Sequence, residues 1–356
     1  MSEDIWSEQD TSPDAIEAAL RELLRERHAA NEALAPARVI NLIVIVDREW
    51  KGEIANRLER AGRYHGSRTV LCAVEENRTT LDAVATVSYE EPKGSSLGVM
   101  HESVEIDLGP EHLRALQTIC DPVLVGELPT VLWSPHGHLE AVDAVCPLVD
   151  VMLLDSDDID DPVEAFARAE RLRKHVYIVD LAWLRTTPWR ERLAATFDLP
   201  ERLAALREIE ELEIRHRETS KASALLLAGW LSSRLQWERS HLRLWDGRLV
   251  SAGAEAGGDG DGDGDVVVSL LTAEQEAPGL AGVTVTTADG TSLSLQRGRG
   301  GLDATERTGD GEERGWKIMG ASRGEGGILG EGIRQALLRD PTYLPALEAA
   351  RGLCPA

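Results

Sequence analysis

Cysteine is scarce in this chain, and Cys72, Cys120, Cys146 and Cys354 stand far apart with no Cys-x-x-Cys spacing. That spacing excludes a zinc ribbon and a disulfide framework, and predicts reduced, mostly buried thiols. Basic residues are also short: 38 Lys and Arg face 62 Asp and Glu, for a net charge of −24. An acidic surface repels phosphate backbones and anionic lipid, which argues against nucleic-acid and membrane-surface roles and reads as a solubility device. Long apolar runs are missing as well. The longest smooth one, Ala222 to Leu231, is too short to span a bilayer. The opening Met1-Ser-Glu-Asp-Ile-Trp-Ser-Glu is acidic where a secretory leader needs a basic lead and an apolar core. These features predict a cytoplasmic protein. Phe and Tyr are rare, 2 and 4 residues against 9 Trp. Phe fills a core without a polar N–H to satisfy, so a bias toward Trp points to contacts beyond a plain core.

The length of 356 residues suits two domains. Residues 1–10 read as a polar, disordered start, and Ser12-Pro13 opens a helix that Pro36 ends, giving a tail and helix over 1–35. From 36 to 188, short apolar strands alternate with helices. Arg38–Asp47 and Thr69–Val74 contain nearly continuous apolar runs, as in strands buried on both faces. Strand–helix alternation predicts an α/β domain with a mixed, mostly parallel sheet. From 189 to 356, a helix over Ser220–Arg239 precedes short strands separated by Gly- and Asp-rich turns. That pattern predicts an α+β domain with an antiparallel meander, one sheet face covered by the helix that carries Trp230. Residues 255–265, rich in Asp-Gly, read as a disordered loop.

The densest motif is Asp180-Leu-Ala-Trp183-Leu-Arg185-Thr-Thr187-Pro188-Trp189-Arg190-Glu-Arg192. Tyr177-Ile-Val-Asp180 is a buried strand end, and Thr187-Pro188 reads as a helix start. Two tryptophans and three arginines then crowd a junction that needs only turn residues. Trp and Arg are common interface anchors, so they are candidates for recognition. The plainer alternative places Trp183 and Trp189 in the core with the arginines solvated.

This run resembles the signature of the OpcA family, the glucose-6-phosphate dehydrogenase assembly proteins. Further stretches resemble the family in order along the chain: Ala37-Arg38-Val-Ile-Asn41, Glu127-Leu-Pro129-Thr-Val-Leu-Trp133, Asp155-Ser156 and Leu226-Leu-Ala-Gly229-Trp230. The resemblance implies a non-catalytic assembly factor and allosteric activator that binds glucose-6-phosphate dehydrogenase, promotes its active oligomer and supports the oxidative pentose phosphate pathway, with no cofactor and no metal. The candidate partner-binding residues are Arg38, Trp133, Asp180, Trp183, Arg185, Thr187, Pro188, Trp189, Arg190 and Trp230. On that reading, Trp189→Ala with Arg190→Ala weakens activation and leaves the fold largely intact. The alternative is a stand-alone α/β sugar-phosphate-binding protein or enzyme, with Arg185 and Arg190 clamping phosphate.

Other motifs fail as chemistry. Asp259, Asp261 and Asp263 open like an EF-hand loop, but Leu270 stands where the bidentate acid belongs. Gly94-Ser-Ser-Leu-Gly98 fits G-x-S-x-G without the strand–turn–helix setting of a nucleophile elbow. His136 and His138 read as a surface loop after a strand end, not a complete metal set. Gly324-Glu-Gly-Gly327 lacks the lysine of a P-loop and reads as a flexible connection. Arg297-Gly-Arg299 reads as a hairpin loop. Asp155, Asp157, Asp158, Asp160 and Asp161 read as negative charge at the start of the following helix.

Overall fold

A computed structural model describes residues 2–30, 34–36, 38–62, 66–89, 98–198, 200, 202–237, 241–245, 248–250, 266–320 and 325–354. The Asp-Gly tract and most of Gly94–Gly98 lie outside these residues. The chain divides into two compact units: residues 1–154, 171–179 and 329–338 form the first, and residues 155–170, 180–328 and 339–356 the second.

In the first unit β1 (Ser2–Glu8), α1 (Pro13–Ala30), β2 (Leu34–Pro36), β3 (Ile40–Asp47), α2 (Lys51–Gly62), β4 (Ser67–Val74), β5 (Asp82–Tyr89), β6 (Gly98–Leu108), α3 (Leu116–Cys120), β7 (Thr130–Trp133), α4 (Leu139–Val145) and β8 (Val151–Leu154) follow in order. After α5 (Pro162–Leu172), β9 (Tyr177–Asp180) completes a nine-stranded sheet. The sheet order is β1-β5-β6-β4-β3-β7-β8-β9, with β2 beside β6. Pairings among β6, β4, β3, β7 and β8 are parallel, while β1–β5 and β5–β6 are antiparallel. This is the mixed, mostly parallel sheet that the sequence predicts. Residues 40–46 of β3 are all buried, because the strand sits between β4 and β7 with both faces covered. By contrast β5 alternates buried and half-buried residues. Its inner face meets α1, where Leu23 and Leu24 pack on Val87 and Tyr89.

The start of the chain corrects the expectation of a disordered segment. Ser2 to Glu8 pair with Tyr89 to Ala83, so β1 is an edge strand. An edge strand needs backbone partners more than apolar side chains, and its polar sequence conceals it. Arg27 also holds it, donating from Nε to Asp4 Oδ2 at 2.7 Å.

Two motif stretches in this unit tie down interior strands of the sheet. Asn41 is buried, donates from Nδ2 to the Val125 carbonyl at 3.0 Å, and accepts from the Val125 N–H at 3.0 Å. It pins the loop that leads into Leu128-Pro129. Arg38 and Arg68 share the buried Glu102 carboxylate, with Nε to Oε1 at 2.5 Å and Nε to Oε2 at 2.7 Å.

The second unit contains α5, α6 (Leu181–Phe197), β10 (Ile209–His216), α7 (Lys221–Leu235), β11 (Arg243–Trp245), β12 (Arg248–Val250), β13 (Val267–Thr272), β14 (Leu280–Thr287), β15 (Ser292–Gly298), β16 (Gly301–Arg307) and β17 (Glu313–Met319). α8 (Glu325–Gln335) and α9 (Tyr343–Leu353) close the chain. The eight strands run β11-β12-β13-β10-β14-β15-β16-β17, antiparallel except for β10 with β13. From β14 to β17 they form the expected meander. Arg299 and Gly300 make the β15–β16 hairpin turn, Gly300 having φ +80°. Residues 222–229 of α7 are buried on all sides, as befits a central helix. Gly229 is fixed by packing: a Cβ there would stand 2.3 Å from the Ala346 carbonyl oxygen on α9. The two helix backbones meet at that point.

The expected helix start at Thr187-Pro188 is wrong. α6 begins at Leu181, directly after β9, and Pro188 lies inside it. Asp180 caps it, accepting from the Ala182 N–H at 3.0 Å, so the start signal was the strand's own last residue. The domain boundary expected after residue 188 falls within this helix. β16 was not expected at all: Gly-Leu-Asp-Ala-Thr-Glu-Arg lacks a β-branched alternation, and its pairing partners on both sides supply the order.

Candidate functional site

The conspicuous motif folds into a buried polar network inside the second unit. At its centre Asp180 is wholly buried and accepts from four donors. The Ser156 hydroxyl lies at 2.6 Å, the Ser156 N–H at 3.1 Å, the Ala182 N–H at 3.0 Å and the Tyr343 hydroxyl at 3.1 Å. Burial raises its carboxyl to about 6, against the opposing pull of the Ser156 hydrogen bond.

One turn into α6, Arg185 makes a two-pronged ion pair with Asp155, at 2.7 and 2.6 Å. Such fork-to-fork geometry fixes orientation as well as charge. Asp157 stands 3.6 Å from the same guanidinium and takes the Ser223 N–H and hydroxyl of α7, at 3.0 and 2.6 Å. Burial, reinforced by the neighbouring Asp155 charge, raises Asp157 to about 7. The acidic run after β8 therefore splits its duties. Asp161 caps α5 through the Val163 N–H at 2.9 Å, as expected, while Asp155 and Asp157 are tied to α6 and α7.

The aromatic half of the motif is equally enclosed. Trp183 is 2% exposed and Trp189 is 0% exposed. The Trp183 indole N–H donates to Asp340 at 2.8 Å, and its ring lies 5.8 Å from that of Tyr343. The Arg190 guanidinium stacks over Trp183, 3.5 Å from the ring centroid. It also donates to the Thr186 and Thr187 hydroxyls, each at 2.9 Å. Burial pulls Arg190 down to about 10, which leaves it a cation at neutral pH. The Trp189 N–H is buried with no acceptor among the described residues.

The sequence candidates thus sort by exposure. Asp180, Trp183, Arg185 and Trp189 are buried here, as is Trp133 on β7 of the other unit. The core alternative holds for the tryptophans, but the arginines are enclosed and paired, not solvated. Arg190, Thr187, Pro188 and Trp230 keep part of their surface, and so does Arg38 in the first unit. Sequence reading missed Ser156, Ser223, Asp340 and Tyr343 as members of the network. Ser223 carries no local signal, and Ser156 stands out only in the Asp155-Ser156 pair of the resemblance; Asp340-Pro-Thr342 marks a helix start, where Asp340 accepts from the Thr342 N–H at 2.8 Å. Among the described residues no group of three or more His, Cys, Asp and Glu side chains is placed to hold a metal ion.

Comparison with known proteins places the chain. Residues 58–171 match the family model described as the glucose-6-phosphate dehydrogenase subunit N-terminal domain, and residues 176–347 match the corresponding C-terminal domain. A protein of Nostoc punctiforme, provisionally named OxPP cycle protein OpcA, is 37% identical over 123 residues, 33% of this chain and 26% of that one. Its namesake in Synechococcus elongatus is 32% identical over 141 residues, 38% of this chain and 32% of that one. The chain thus spans about a third or less of the curated relatives it matches. A dehydrogenase structure from Chromobacterium violaceum aligns with 88% of this chain and 93% of its own at TM-score 0.47 and 12% identity. An oxidoreductase from Bacillus subtilis aligns with 88% and 94% at TM-score 0.45 and 12% identity. Likeness at that level assigns no activity. The two consecutive domain matches show that the chain belongs to the OpcA family of glucose-6-phosphate dehydrogenase assembly proteins.

Proposed function

We propose that this protein binds glucose-6-phosphate dehydrogenase and favours its active oligomer without catalysing a reaction itself, acting in the cytoplasm in support of the oxidative pentose phosphate pathway. The observation that carries this reading is the match to both family domains, in order, through the residues that build the buried network. The network supports a scaffold over a catalyst. Asp180 and Asp155 direct their oxygens to internal donors, and Asp157 is held by Ser223. The network holds α6 in shape, and the part-exposed Thr187, Pro188 and Arg190, with Trp230, offer the surface to the partner. A partner that binds the active arrangement more tightly shifts the dehydrogenase population toward it. No helix among the described residues is long and apolar enough to cross a membrane.

Co-expression and pull-down with the dehydrogenase of the same organism, followed by kinetics with and without this protein, tests the reading. Association with a raised rate or lowered substrate requirement is expected, and Trp230→Ala should weaken it at least about fivefold, about 1 kcal/mol. No association together with unchanged kinetics would overturn it.

A further inference from the structure

The order β6-β4-β3-β7-β8 makes the gap between β3 and β7 the place where the chain reverses its winding direction. In open α/β sheets the crevice at the carboxyl ends of such strands is where ligands settle. The residues there are Asp47 at the end of β3, Trp50 in the turn that follows, and the loop from Ser134 to His138 after β7.

This loop is built. The Ser134 hydroxyl donates to the Gly137 carbonyl at 2.9 Å, and Gly137 and His138 take left-handed backbone with φ +88° and +46°. His136 Nδ1 accepts from the Asp47 N–H at 3.1 Å, so its proton sits on Nε2, available as a donor. His138 Nε2 lies 3.0 Å from Asp47 Oδ1 yet is not aligned for a hydrogen bond, and it has no hydrogen-bond partner among the described residues. Trp50 is 45% exposed and its ring stands 5.9 Å from that of His136.

The charges around the crevice select the ligand. The cations are engaged: Lys51 pairs with Asp107 at 2.7 Å and Glu105 at 2.9 Å, and Arg48 lies 3.6 Å from Asp107. The Asp47 side chain is 42% exposed, and Glu49 and Glu53 are exposed beside it. The turn after β3, Asp47-Arg-Glu-Trp-Lys51, has none of the glycines that let a backbone approach pyrophosphate. A phosphate here would meet carboxylates, while the nearby Lys51 and Arg48 face Asp107. What fits is an uncharged sugar ring. Its apolar face lies on Trp50, adjacent hydroxyls donate to Asp47, and a ring or hydroxyl oxygen accepts from His136 Nε2–H.

The geometry points to a binding site for an unphosphorylated sugar ring, presented by a free sugar or a nucleoside, at the β3–β7 crevice of Asp47, Trp50, His136 and His138. The site stands on the first unit's own residues and does not depend on the dehydrogenase reading. Calorimetric titration of the full chain with adenosine, D-glucose and glucose 6-phosphate tests it. Saturable binding of adenosine or glucose is expected with Kd between about 0.1 and 5 mM, and which of the two binds identifies the source of the ring. Glucose 6-phosphate should bind at least about tenfold more weakly than the neutral ring. Asp47→Asn and Trp50→Ala should each weaken binding about tenfold or more. Both side chains are part exposed, and unchanged circular dichroism would show that the fold persists. No saturable binding of either neutral compound up to about 20 mM overturns the proposal. So does tighter binding of the phosphate, or binding that both variants retain.

Discussion

Trp189 has no exposed surface, and its N–H has no acceptor among the described residues. Both facts bear on what its removal does. Trp189→Ala leaves a large cavity and is expected to cost about 3–5 kcal/mol, read as a lower denaturation midpoint. The orphaned N–H, a standing cost of about 1–3 kcal/mol, is removed with it and trims that loss. Paired with Arg190→Ala it also strips the cation from the Trp183 ring and leaves Trp183 and Asp340 short of a neighbour. The double variant should therefore unfold readily, which reverses the expectation drawn from the motif alone. Retention of wild-type stability by Trp189→Ala would show that the indole is not part of the core.

The helix is the scale at which sequence reading went furthest astray, and Pro188 is the reason. Proline within a helix lacks the N–H that bonds the carbonyl four residues back and crowds that carbonyl, a cost of about 3 kcal/mol in an ordinary helix. Here the turn keeps other bonds: the Thr186 hydroxyl donates to the Trp183 carbonyl at 2.7 Å and accepts from Arg190. Pro188→Ala is expected to raise the unfolding free energy by up to about 3 kcal/mol in urea titration, because Ala restores a backbone bond at a part-exposed position. A fall in stability would mean that packing of the ring outweighs that bond. The same contrast explains what else was legible. β3 and β4 could be placed because their burial on both faces forces continuous apolar sequence. β1 and β16 could not, because their order comes from backbone pairing with strands distant in sequence, which leaves no apolar pattern. Local crowding of Trp and Arg marked the site correctly, yet its acceptors arrive from afar: Asp155 is 30 residues from Arg185, and Asp340 is 157 from Trp183.

For the whole molecule, acidity outside and carboxylates inside act together on the pH dependence. The second unit encloses Asp155 and Asp157 beside the Arg185 guanidinium and buries Asp180 near the Asp155 charge, so negative charge in this part of the network is only partly offset when all three are ionised. Asp180 titrates at about 6 and Asp157 at about 7, each raised by burial above the ordinary carboxylate range. A carboxyl raised in the folded state binds its proton more tightly folded than unfolded. Its contribution is therefore fully present below the unfolded pKa of about 4 and is lost as pH rises through 6 to 7. The unfolding midpoint should accordingly rise as pH is lowered from 8 toward about 5.5. Relief of repulsion among surface acids, at a net charge of −24, acts in the same direction. Asp157→Asn tests the buried part, because it removes one of the buried titrations and leaves the surface nearly unchanged. Scanning calorimetry between pH 5.5 and 8 should give a shallower slope for that variant than for the wild type, by up to about 1 kcal/mol per pH unit. Equal slopes would deny Asp157 a part in it.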